Sequence, residues 1–213
     1  MKNKILYIIP LALLLAACEL QPQSGELARD MVVQTQYDQP SITANIFSTY
    51  STFIIREDTI GLVKRGVAPE HAYYTDEDFT GIPGGYVEPV IALVKENLSA
   101  RGFDQVTEEE NPDFAVNIVI LEDFSFFQTV NYLPTYGGYY GYYGYYLPVV
   151  NTYYSQFASM VIEIVDVKNA TGNDYKVIWK AFIGDLYTTF DLKAKTLEAI
   201  DQAFVQSPYI SKD

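Results

Sequence analysis

The run DFAVNIVILEDF, Asp113–Phe124, decides the fold. Phe114, Val116, Ile118 and Ile120 point one way in an extended chain; Ala115, Asn117, Val119 and Leu121 point the other way. Both sets are largely apolar, the pattern of a central strand covered on two faces. Downstream, Gln156–Val167 alternates again, with Met160, Ile162 and Ile164 on one face and Ser159, Glu163 and Val165 on the other. KNATGND, Lys168–Asp174, has the Asn, Gly and Asp of a hairpin turn, and Tyr175–Ile183, carrying Trp179, is its partner strand. Asp191–Val205 places Leu197, Ile200 and Phe204 on one helical seam, with Thr188 or Thr189 as N-cap and Ser207-Pro208 as stop.

Upstream, Tyr86–Arg101 predicts a helix. Val87, Val90, Ile91, Val94 and Leu98 make one apolar stripe, Glu88 and Pro89 suit the first turn, and Gly102 suits a left-handed stop. Asp30–Tyr37 and Thr49–Arg56 read as strands on either side of the Gln39-Pro40-Ser41 break. Glu57–Gly85 reads as a long irregular crossover, and Val106–Pro112 as an acidic turn. The order β-β-α-β-β-β-α predicts an α+β two-layer sandwich, a mostly antiparallel sheet with two helices on one face. Ile118, Ile162, Trp179, Val94, Leu197 and Phe204 are its expected core.

Between the third and fourth strands, 128–152 forms an insertion rich in Tyr and Gly. Its centre, GGYYGYYGYY (Gly137–Tyr146), repeats every three residues, which matches neither a strand nor a helix. Ten of the nineteen tyrosines fall between Tyr132 and Tyr154. The expectation is a connection projecting from one end of the sheet, without which the domain still folds. Tyr139, Tyr140, Tyr142, Tyr143, Tyr145 and Tyr146 are the candidate contact residues. Three readings stand side by side: a low-complexity loop, an aromatic platform for an envelope glycan, and a surface for self-association or the membrane interface.

Residues 1–17 read as an export signal, with Lys2 and Lys4 ahead of the apolar run Ile5–Ala17. Thirteen residues are too few to span a bilayer, which takes about 20. Leu15-Ala16-Ala17-Cys18 resembles a bacterial lipobox. That resemblance implies cleavage before Cys18 and lipidation there, with diacylglycerol on the sulfur and a fatty acid on the new N-terminus. Residues 18–29 then form a lipidated cysteine and flexible tether, ahead of a single domain over 30–210. Cys18 is the sole cysteine, so the mature domain has no thiol for catalysis, metal or disulfide. Loss of Lys2 and Lys4 leaves 12 basic and 27 acidic side chains, a net charge of −15, which excludes nucleic acid as a partner.

Signals of chemistry are sparse. His71, the single histidine, has no G-x-S-x-G elbow to serve and too few companions for zinc. Asp76-Glu77-Asp78 and Glu108-Glu109-Glu110 read as solvated acidic turns, and the former lacks EF-hand spacing. A glycosidase needs two placed carboxylates, about 5–9.5 Å apart, and no pair is marked. Neither cofactor nor metal is expected.

The segments YSTFII (Tyr50–Ile55), LSARGF (Leu98–Phe103), NPDFAV (Asn111–Val116), Val161–Val167, VIWKAFIGDL (Val177–Leu186) and IDQAFVQSPY (Ile200–Tyr209) carry a further resemblance. The chain resembles the bacterial lipoprotein family of domain of unknown function 4136 over about Asp30 to Tyr209. The resemblance implies the lipobox, the strand pattern and the Gly/Tyr-rich insertion, and it implies no catalytic residue. The expectation is therefore an outer-membrane lipoprotein, facing the periplasm rather than the cell surface. Its domain is expected to be non-catalytic, binding or scaffolding an envelope glycan or another envelope protein. The alternative is an envelope glycan hydrolase working through a pair of carboxylates.

Overall fold

A computed structural model describes residues 33–38, 45–64, 72–122, 159–171, 174–184 and 191–212. Its strands are β1 (Val33–Tyr37), β2 (Thr52–Ile55), β3 (Ile60–Lys64), β4 (Tyr73–Tyr74), β5 (Asp104–Gln105), β6 (Phe114–Glu122), β7 (Ser159–Thr171) and β8 (Asp174–Ile183). Its helices are α1 (Val87–Ser99) and α2 (Leu192–Val205). The strands form one sheet along the path β1-β8-β7-β6-β2-β5, with β3 also beside β6 and β4 on the outer edge of β3.

β6 is central, as its two apolar faces predict. It pairs antiparallel with β7 from Phe114↔Asp166 to Leu121↔Ser159. On its other side it pairs parallel with β2 and then with β3. The long ladders are antiparallel, so the α+β class and mostly antiparallel sheet are as expected. The strand count is a correction. The supposed irregular crossover Glu57–Gly85 contains β3 and β4, and β5 adds a short edge after α1. Ile60–Lys64 is too short for its own period to announce it; pairing with β6 makes it a strand.

Both helices pack on the face that carries Val116, Ile118, Ile120, Ile162 and Ile164. α1 buries Val87, Val90, Ile91, Val94 and Leu98, the stripe read from the sequence. It ends in a Schellman motif: Phe103 N–H donates to Leu98 O and Gly102 N–H to Ser99 O, with Gly102 at φ 89°. α2 is rotated from its expected seam. It buries Thr196, Ala199, Ile200, Ala203 and Phe204, while Leu197 is only partly buried. Its N-cap is Asp191, which accepts from Ala194 N–H, rather than Thr188 or Thr189. Trp179 is core, stacked on Phe204 at 5.5 Å, and its indole N–H donates to Ser207 Oγ at 2.9 Å.

The acidic stretch at Asp76 is also a correction. Asp76 Oδ1 accepts from the backbone N–H of Tyr86 and Val87, and Oδ2 from Glu88 N–H, so this carboxylate caps α1. Gly85, at φ 69°, leaves room for it: a Cβ there would lie 2.7 Å from Asp76 Cγ.

Candidate functional site: a groove at an interrupted strand

β2 and β3 are one line of chain with an interruption. Ile55 pairs with Val116 and Gly61 with Val119, so five residues, 56–60, stand opposite two, Asn117 and Ile118. The excess cannot stay in the ladder and bulges out of it. Arg56 ties the bulge down. Its guanidinium donates to Thr59 Oγ1 at 3.1 Å and to Tyr73 OH at 3.3 Å, and lies 4.2 Å from the Tyr73 ring centroid.

Beside the bulge lies a groove of about 830 Å³. Arg56, Glu57, Asp58 and Thr59 form one wall; Gln105, Val106, Thr107, Glu108 and Glu110 form the other. Ile54, Ala115 and Asn117 lie between them. Gln105 Nε2 donates to Glu57 Oε1 at 3.1 Å, which joins the walls at one point. β5 sets the second wall, through Asp104 N–H to Ser51 O and Val106 N–H to Phe53 O. Thr107 and Glu110 cap each other around a single 3-10 turn, with both Thr107 N–H and Oγ1 donating to Glu110 Oε2. These hydrogen bonds hold the Glu110 carboxyl below the usual carboxylate range. Asp113, just outside, is structural. Burial alone would raise its pKa, but backbone N–H groups of Ser51 and Thr52 and the Lys168 ammonium bring it below the usual range.

The groove presents an apolar floor between polar walls, the combination that holds a polar ligand by its shape and its hydrogen bonds. Carboxylates stand on both walls. Among the described residues no group of three or more His, Cys, Asp or Glu could hold a metal ion. No helix among them is long and apolar enough to cross a membrane.

Glu163, which the alternation of β7 puts on one face with Ser159 and Val165, is fully buried. It pairs across strands with Asn117 of β6 and Lys180 of β8. Burial pushes its pKa up to about 8, and the neighbouring Lys180 and Asn117 counter only part of that. Neither carboxylate oxygen makes a hydrogen bond of good geometry, although the Asn117 amide is close enough to lower its pKa.

The sequence-based candidates lie elsewhere. Cys18, His71 and the tyrosines at 139, 140, 142, 143, 145 and 146 are outside the described residues. The groove was missed because its walls come from segments read as crossover and turn. The one signal was Glu57-Asp58 directly after a strand of Thr, Phe and Ile.

Residues 33–209 match the family described as "Domain of unknown function (DUF4136)". The chain belongs to the DUF4136 family. A DUF4136 family protein from Bacteroides thetaiotaomicron, known from a crystal structure, is similar at a TM-score of 0.60 and 24% identity, over 85% of this chain and 97% of that one. It supports the DUF4136 fold. A PDZ domain protein from Parabacteroides distasonis aligns at a TM-score of 0.43 and 12% identity, over 84% of this chain and 35% of that one. The PelC dodecamer from Paraburkholderia phytofirmans aligns at 0.36 and 12% identity, over 85% and 98%. These two likenesses are too distant to inform the DUF4136 chain's function. No curated protein matches it.

Proposed function

We propose that this chain is a lipid-anchored envelope protein, held at the outer membrane through Cys18 and facing the periplasm, whose α+β domain is a non-catalytic binding module. The bulge groove is its ligand site. The observation that carries the binding role is the juxtaposition of an apolar floor, Ile54 and Ala115, with polar walls that are fixed by the chain's own hydrogen bonds. Such walls are preorganised, so little side-chain entropy is lost on binding. An acidic surface disfavours anionic ligands, which leaves neutral or cationic ones, and an envelope glycan or a peptide segment of another envelope protein fits both wall and floor.

A second reading is kept by one observation. Glu57 and Asp58 on one wall and Glu108 and Glu110 on the other could act as a carboxylate pair in a glycan hydrolase. Glu110 is poorly suited to be the acid of such a pair, since its carboxyl is held ionised. Titrating soluble peptidoglycan fragments into the purified Cys18→Ser chain separates the readings. Saturable binding that Ile54→Glu weakens at least tenfold, with no new reducing ends, is expected. Release of reducing ends that Glu108→Gln abolishes would replace the binding module with the hydrolase. Absence of both binding and release would overturn the groove as a glycan site.

A further inference from the structure

β5 leaves the outer edge of β2 half covered. It pairs with Thr52 and Phe53 only, and the chain then turns away through Thr107 into the 3-10 turn Glu108–Glu110. Among the described residues no strand pairs with Ile54 or Ile55 on that side, and both border the groove. An uncovered edge presents backbone N–H and C=O groups, a template on which an extended peptide adds as a further strand. The walls add charge. Glu57 and Asp58 line one side and Glu108 and Glu110 the other, against one lining guanidinium, Arg56, which is engaged with Thr59 and Tyr73. Lys95 of α1 comes within 3.8 Å of Glu57, yet the Glu57 side chain is still 74% exposed. None of the described residues lining the groove is aromatic.

We infer, on the reading that the groove is the ligand site, that its occupant is an extended peptide segment bearing lysine or arginine. The segment lies along the open edge of β2 at Ile54–Ile55, with its cationic heads at the carboxylates of both walls. Three observations select this occupant. The open edge of β2 asks for a main chain, which a sugar lacks. Floor and walls together complement a basic side chain, whose aliphatic stem covers Ile54 and Ala115 while its head reaches the acidic rim. Acids on both walls suit a strand, because successive side chains of a strand point to opposite sides. A sugar ring would instead stack on an aromatic face, and the lining offers none. Charge favours the same class of ligand at longer range, since the chain's net charge of −13 draws cations to its surface. Glu110 keeps its charge below the usual carboxylate range, because Thr107 donates to it twice.

Fluorescence anisotropy of a labelled Lys-Lys-Val-Val-Lys-Lys peptide with the Cys18→Ser chain is the test. Saturable binding is expected, at least about tenfold tighter than that of the same peptide with its lysines acetylated, and weaker by a similar factor when salt is raised from roughly 0.05 to 0.5 M. Asp58→Asn with Glu108→Gln should weaken binding at least about fivefold, whereas Glu198→Gln with Asp201→Asn, which remove as much charge from α2, should leave it unchanged. Equal losses in the two variants would mean a diffuse attraction to an acidic protein and overturn the inference. Should the groove variant fail to fold, the acetylated peptide reads the same charges on the unsubstituted walls. Strand addition is read by N-methylation of the peptide. Methylating one alternate set of amides should abolish binding and methylating the other should spare it, because alternate residues turn their N–H toward the neighbouring strand. Equal tolerance of both sets overturns the inference. So does spermidine or a chitosan oligomer that competes as well as the peptide, which would make the groove a site for small cations or a basic glycan. Peptidoglycan fragments that bind there while the lysine peptide does not would overturn the peptide occupant and leave the binding module standing. Failure of both ligands would overturn the groove as a site as well.

Discussion

Asp76 Oδ1 accepts the backbone N–H of Val87 at 2.6 Å, so α1 is capped by a residue eleven positions upstream rather than by its own N-cap, Tyr86. The first N–H groups of a helix have no partner within it, and this carboxylate meets them with a full charge at the positive end of the helix dipole. Burial alone would raise its pKa, but the three backbone N–H groups and Lys193 bring it below the ordinary value. Asp76→Ala should therefore cost about 1–2 kcal/mol in urea denaturation. A folded-state pKa below the unfolded one means that the contribution is present above the unfolded pKa and disappears as pH falls through the folded one. The difference between wild type and Asp76→Ala should shrink in acid. A constant difference from pH 7 down to pH 2 would show that the carboxylate's charge is irrelevant.

Gly85→Ala should be damaging by a separate route. The position has a positive φ, and the new Cβ would approach the Asp76 carboxyl to 2.7 Å. A loss of more than about 1 kcal/mol is expected. In an Asp76→Ala background part of that loss should vanish, because the steric partner is gone. Additive losses in a double-mutant cycle would contradict the contact.

Glu163 gives a pH dependence of opposite sign to that of Asp76. Its folded pKa of about 8 lies above the unfolded value, so the fold favours the protonated acid. Its contribution is fully present below the unfolded pKa and is lost as pH rises through about 8, an effect of a few kcal/mol. The charged group facing it is Lys180, itself close to Asp38. Glu163→Gln should be the more stable protein at pH 9 and should flatten the decline between pH 5 and 9. Parallel stability curves for the two proteins would show that Glu163 stays ionised throughout.

Phe204 stacks on Trp179 and lies beneath the Arg101 guanidinium, whose carbon is 4.9 Å from the ring centroid. Phe204→Ala should cost about 3–5 kcal/mol. Ser207→Ala should cost about 1–3 kcal/mol, since it strips the buried Trp179 indole N–H of its acceptor. Thermal or urea unfolding followed by tryptophan fluorescence reads both, and a silent Ser207→Ala would mean the indole finds another acceptor.

Anchoring is tested at the other end of the chain. Cys18→Ser should abolish acylation and leave unprocessed precursor. Mass spectrometry of the mature N-terminus from an envelope fraction is expected to find a lipidated cysteine. An unmodified peptide starting at another residue would remove the lipoprotein from the proposal.

Local periodicity was enough to read the long helices and the central strand. The stripe Val87–Leu98 requires a helix with one buried side, because 3.6 residues per turn bring those positions together whatever lies outside. The alternation in Phe114–Leu121 requires a strand with two covered faces, and it is the centre of the sheet. Tertiary structure alone decided the rest. Ile60–Lys64 is a strand because β6 offers it a parallel edge, and no run of five residues carries that information. Leu197 was read as part of the seam, yet the docking angle of α2 turns Ala199 and Ala203 inward with Ile200 and Phe204. Asp76 looked like one more solvated acid until the chain returned to place the start of α1 against it. The groove depends on a mismatch of five residues against two, which appears only when two distant segments are set in register. Helix and strand periods act over a few residues, whereas register, capping from a distance and the burial of Glu163 depend on which surfaces meet once the chain has closed.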